Sequence, residues 1–114
     1  MSAELSIITH SYDLLNWTLQ HTAKFPRVHL HGLGRRIEDK LYELCDLLVE
    51  AKFTRDKADI LRLAALRVEQ LRLLYRTAAD QGVLPLRSQH YAGERLQEIG
   101  RELGGWRRSA EKKK

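Results

Sequence analysis

Arginine carries most of the chemistry this sequence offers. Arg27, His29, His31, Arg35 and Arg36 cluster in one short stretch. Arg62, Arg72 and Arg76 recur at helical spacing and are interrupted by Glu69. Arg101, Arg107, Arg108 and Lys112, Lys113 and Lys114 enrich the C-terminal end. The planar guanidinium fork matches phosphate geometry better than an ammonium does. Twenty Lys and Arg against 15 Asp and Glu leave a net charge of +5. A basic balance of this kind points to an anionic partner, either nucleic acid or a membrane surface. A soluble helical surface with mixed signs would give similar counts, so composition alone does not choose.

The other reactive side chains point away from catalysis. No serine, histidine and carboxylate stand at the spacing of a nucleophile motif. Cys45 follows Leu44 inside an apolar helical pattern and reads as a structural thiol. Gly32-Leu33-Gly34 precedes a helix, but a phosphate loop would need a strand before it and a lysine after it. His29-Leu30-His31 gives two imidazoles without further partners at ligand spacing, so no metal and no cofactor are expected. Glu43, Asp46 and Glu50 make an acidic stripe. It reads as a solvated helix face, or as a surface for the arginines of a neighbouring chain.

These residues need helices to position them. Four segments show helical periodicity and none alternates with period two. The first is expected from Thr9 to Phe25, with Ile8, Tyr12, Leu15, Leu19 and Thr22 as its apolar stripe and Pro26 as its stop. A loop from Pro26 to Gly32 follows. The second runs from Leu33 to Phe53 on Leu33, Ile37, Leu41, Leu44, Leu48 and Ala51. The third runs from Lys57 to Gln81 on Ile60, Ala64, Val68, Leu71, Tyr75 and Ala78, capped by Asp56 and closed by a left-handed Gly82. Pro85 opens the fourth, whose stripe is Gln89, Ala92, Leu96, Ile99, Leu103 and Trp106. The Gly104-Gly105 pair is expected to end it and let the indole fold back. Gly93 and Gly100, seven apart, would admit a close backbone neighbour. Short connections between helices predict an all-α, antiparallel up-down-up-down four-helix bundle over 1–108, followed by a basic polar tail over 109–114.

A chain of 114 residues holds one domain. One cysteine leaves no internal disulfide. The stretch Met1-Ser2-Ala3-Glu4-Leu5-Ser6 lacks the basic and apolar regions of a leader. Both fit a cytoplasmic protein. Arg27, Arg35 and Arg36 are expected where the first loop meets the second helix, where free N–H groups would add to the guanidinium charge. That is the best anion site the sequence offers. Base-specific reading is not expected, because no DNA-reading helix-turn-helix, zinc finger or sheet of stacking aromatics is evident.

Phe25-Pro26-Arg27-Val28-His29, Leu33-Gly34-Arg35-Arg36-Ile37-Glu38, Glu50-Ala51-Lys52-Phe53-Thr54-Arg55-Asp56-Lys57 and Ile99-Gly100-Arg101-Glu102-Leu103-Gly104-Gly105-Trp106 together resemble one family. It is the accessory variability determinant family of diversity-generating retroelements. The broader relatives are four-helix proteins encoded in intervening sequences of bacterial large-subunit ribosomal RNA genes. The resemblance spans about Tyr12 to Trp106. It implies a non-enzymatic, positively charged homopentamer that binds nucleic acid, either template RNA or an RNA/DNA duplex. It also implies association with the element's reverse transcriptase in mutagenic cDNA synthesis, and no membrane partner. Phe25, Pro26, Arg27, His29, Arg36, Gly100, Arg101, Gly104 and Trp106 carry the family pattern, whereas Pro85 and Arg107 depart from it. The nucleic-acid-binding set expected on these grounds is Arg27, His29, Arg35, Arg36, Arg62, Arg72, Arg76, Arg101, Arg107 and Arg108. A purely structural helical oligomer is the alternative.

Overall fold

Apolar side chains recurring every three to four residues force each segment to bury one face, and helices do this against one another. The computed structural model describes residues 3–112 and is all helix and turn. Helix α1 is Ala3–Thr22. Helix α2, 27–52, joins Arg27–His29, a π-helical turn Leu30–Gly34 and Arg35–Lys52 without a break. Helix α3 is Ala58–Asp80 and α4 is Leu86–Lys112. Each helix packs on its neighbours in sequence, and α1 closes the ring against α4. The result is the expected antiparallel four-helix bundle, 47 Å long and 23 × 21 Å across.

The core stripes of α2, α3 and α4 follow the sequence period closely. Ile37, Leu41, Leu44, Leu48 and Ala51 are fully buried on α2. Leu61, Ala64, Val68, Leu71, Tyr75 and Ala78 are buried on α3, and Ala92, Leu96, Ile99, Leu103 and Trp106 on α4. Leu61 rather than Ile60 begins the α3 stripe, and Ser88 rather than Gln89 that of α4.

Helix α1 departs most from expectation. Its buried side chains are Ile7, Ser11, Leu14, Leu15, Thr18 and Thr22, so Leu15 and Thr22 are placed as expected, whereas Tyr12 is 58% exposed. Adjacent apolar pairs, Ile7-Ile8 and Leu14-Leu15, make two registers nearly equal in hydrophobicity. Packing resolves the choice, because the two buried threonine hydroxyls find partners, although that of Ser11 has none. Thr18 Oγ1 shares a 2.6 Å hydrogen bond with the Tyr75 hydroxyl, and Thr22 Oγ1 donates to Glu38 Oε2 at 2.5 Å.

Three boundaries also differ. The stretch from Pro26 to Gly32 is not a loop. Pro26 is the N-cap, and its carbonyl accepts from the N–H groups of His29 and Leu30. The π-turn that follows takes up one extra residue, and Gly34 lets the Phe25 ring approach to 3.3 Å of where a Cβ would stand. Asp56 does not cap α3: the N-cap is Lys57, with no side-chain hydrogen bond. Gly104-Gly105 does not end α4, which continues to Lys112. Ala110 packs against the core, so helix formation persists into the expected polar tail. Each helical glycine costs about 1 kcal/mol relative to alanine, less than the burial of Trp106 returns. Gly82 behaves as expected, with φ of 75°. Its N–H bonds to Ala79 O and that of Val83 to Ala78 O, a Schellman closure. Met1, Ser2, Lys113 and Lys114, on which parts of the leader and tail readings rest, lie outside the described residues.

Candidate nucleic-acid interface

Helices α3 and α4 lie antiparallel, and the outer edge of their contact brings three guanidinium groups to one concave surface. Arg72 from α3 and Arg101 and Arg107 from α4 line a groove of about 480 Å³. Its lining also includes Val68 and Leu103, with Glu69 and Gln97 adding polar groups. Gly100 keeps the wall low, since its absent Cβ would stand 3.6 Å from an Arg72 Nη atom. Arg72 Nε pairs with Glu69 at 3.3 Å across one helical turn. Among the described residues Arg101 and Arg107 form no ion pair, so their charge is free for an incoming anion. A groove with an apolar floor and three such forks can hold a phosphate backbone against its rim and a planar group below it.

The remaining expected residues are distributed differently. Arg62 and Arg76 are exposed on α3. Arg108 is exposed, and its guanidinium folds back beside Gly104 and Gly105, 3.4 and 3.8 Å from where their Cβ atoms would stand. Arg27 is the first residue of α2 and is exposed, while His29 is half-buried.

The anion site expected from Arg27, Arg35 and Arg36 does not form as drawn. With no loop from Pro26 to Gly32, Arg35 and Arg36 lie about 12 Å along the helix from its first residue. The free N–H groups therefore serve Arg27 alone. Arg35 Nε pairs with Asp39 at 3.6 Å, and Arg36 is exposed.

The structure also brings together residues that the sequence left apart. Gln97 joins the groove only through its helix phase. Trp17 stacks on His21 at 3.9 Å and meets Tyr91 of α4 at 4.9 Å, with the Arg95 guanidinium 5.4 Å from the Tyr91 ring. The i, i+4 spacing of Trp17 and His21 was a local signal for this pair. Tyr91, 74 positions from Trp17, had none. Cys45 is half-buried, and burial, with Asp46 beside it, pushes its thiol up to about 11. That keeps it protonated and poorly nucleophilic. Gly93 faces open space and Gly100 meets a side chain, so neither receives a backbone neighbour within the protomer.

No helix among the described residues is long and apolar enough to cross a membrane. A family model described as bAvd-like, for the bacterial accessory variability determinant, matches residues 5–110. No curated protein and no solved structure matches the chain.

Proposed function

The chain belongs to the bAvd-like family, and from that premise we propose that it is a non-enzymatic, cytoplasmic, nucleic-acid-binding accessory subunit of a diversity-generating retroelement. In this reading it associates with the element's reverse transcriptase and template RNA to support mutagenic cDNA synthesis. The observation that carries the reading is the groove lined by Arg72, Arg101 and Arg107 on a chain of net charge +5. Single-stranded nucleic acid needs a cationic track with surfaces on which bases can lie. Sequence-blind phosphate contacts supply the affinity.

Self-association belongs to the same reading, and two helix faces support it. On α3, Arg62, Leu66, Glu69, Leu73 and Arg76 are all exposed at spacings of four and three, the pattern of a coiled-coil seam. On α2, Tyr42, Asp46, Val49 and Phe53 repeat that spacing, also exposed. Leu73 is 65% and Phe53 79% exposed. The α2 seam carries one acid, Asp46, and the α3 seam two arginines on either side of Glu69. A head-to-tail contact of one with the other would be heterologous, the kind that builds a ring when the rotation between copies closes. Five copies at +5 each would carry about +25.

The test compares RNA filter binding at low and moderate salt for the parent and for Arg101→Glu with Arg107→Glu, with light scattering on both. Parent affinity should fall steeply with salt. The double variant should bind more weakly, with a salt slope smaller by about one per lost phosphate contact, and keep its assembly. Affinity indifferent to salt would overturn the RNA reading. A double variant that loses its assembly would assign the groove to the subunit interface, and a parent monomer at micromolar concentration would overturn the ring.

A further inference from the structure

Away from the groove, polar side chains concentrate at the seam between α1 and α4. His10 stands on α1. Glu98 and Glu102 lie one turn apart on α4, so both carboxylates leave the same helix face. One donor atom from each of the three lies within 4.8 Å of the others. The side chains are 38%, 30% and 20% exposed, which withdraws them partly from water and leaves one side open. Arg95 Nη1 approaches Oε2 of Glu98 at 3.7 Å and leaves Oε1 toward the imidazole.

The two contacts of the ring differ in kind. His10 Nδ1 is 2.5 Å from Glu102 Oε1, so Nδ1–H donates a short hydrogen bond to that carboxylate. His10 Nε2 is 3.3 Å from Glu98 Oε1. In the neutral ring, with its proton on Nδ1, Nε2 is an acceptor facing another acceptor, an arrangement that a bound cation would relieve. A proton there would draw the atoms to about 2.7–2.9 Å, the length of a charge-assisted hydrogen bond. Two ligands at about 2.0–2.2 Å from one tetrahedral ion stand roughly 3.3–3.6 Å apart. The observed 3.3 Å falls within that range. Histidine ligands commonly have their other nitrogen held by a carboxylate, as Glu102 holds this one. The neutral imidazole, two carboxylates and the Arg95 guanidinium together leave a net negative charge that a cation offsets.

We propose that His10 Nε2 and the Glu98 carboxylate bind a divalent transition-metal ion of the zinc class at the α1–α4 seam, with Glu102 orienting the ring and water completing the coordination shell. The ion joins residues 88 positions apart in sequence. An ion that binds only the folded chain stabilises it by mass action. The site is independent of nucleic-acid binding and stands or falls without it.

The test uses the full chain, treated with chelator and titrated with Zn²⁺ by calorimetry and thermal melting at neutral pH. Because His29 and His31 are a competing pair, His31→Ala is run in parallel. The parent should take up one equivalent with micromolar affinity and melt at a higher temperature. Glu102→Gln should weaken binding by about 10- to 100-fold. His10→Gln and Glu98→Gln should abolish it, and His31→Ala should leave it unchanged. Circular dichroism confirms that each variant is folded; if His10→Gln is not, the two glutamine variants on α4 decide the matter. Loss of uptake in His31→Ala with retention in Glu98→Gln would overturn the proposal, and so would a parent that binds no zinc, leaving a proton alone between the groups.

Discussion

Replacing Trp106 by alanine tests how the bundle is closed at its far end. The indole is 6% exposed and sits in the core cluster, directly after the paired glycines of α4. Nζ of Lys57, the N-cap of α3, also stands 5.3 Å from the centre of its ring. Truncating a buried tryptophan costs about 3–5 kcal/mol, because the lost transfer free energy is joined by that of the cavity left behind. The cation–π contact adds roughly 0.5–1 kcal/mol. Unfolding entropy near 2.1 cal/mol/K per residue gives about 0.24 kcal/mol/K for 114 residues. Trp106→Ala should therefore lower the melting temperature by roughly 15–25 °C in a two-state thermal scan by circular dichroism. Amide exchange separates global from local loss. Protection should fall throughout the core, and not only past Gly105. A melt within about 3 °C of the parent would refute the reasoning and make the end of α4 a separately fraying segment.

Gly82→Ala places a Cβ on a residue held at φ of 75°. The left-handed conformation should cost about 1 kcal/mol, read as a melting temperature lower by roughly 4 °C; an unchanged melt would show that the turn relaxes. In chelator-treated buffer the hydrogen bond that His10 donates to Glu102 raises the His10 pKa above 6.5, with burial opposing and Glu98 and Asp13 adding to it. A raised folded value means that this stabilisation is fully present below pH 6.5 and is lost as pH rises through the folded value. The stability difference between the parent and His10→Gln should therefore shrink toward alkaline pH. A difference that grows with pH would reverse the assignment.

The sequence by itself determined the fold class and most of the core. Stripes on α2, α3 and α4 are legible because leucine, isoleucine and alanine recur at helical spacing with charged residues opposite them. Such a pattern can bury only one face. The left-handed glycine at Gly82 was legible for a similar reason, since a local backbone requirement has a local residue signal. The family resemblance was carried by local strings as well. Tertiary structure decided what local signals leave degenerate. Helix α1 has two neighbouring apolar registers, and the buried bond between Thr18 and Tyr75 selects the one that exposes Tyr12. Pro26 and the Gly104-Gly105 pair read as breaks. A proline at a helix N-cap gives up no needed N–H, however, and two glycines cost less than Trp106 and Ala110 gain by packing. The candidate sites were least legible. Arg72 meets Arg101 and Arg107, and His10 meets Glu98 and Glu102, only because antiparallel helices set distant turns side by side. Helix phase fixes which way each side chain points, and only the packing of the bundle fixes what it meets there.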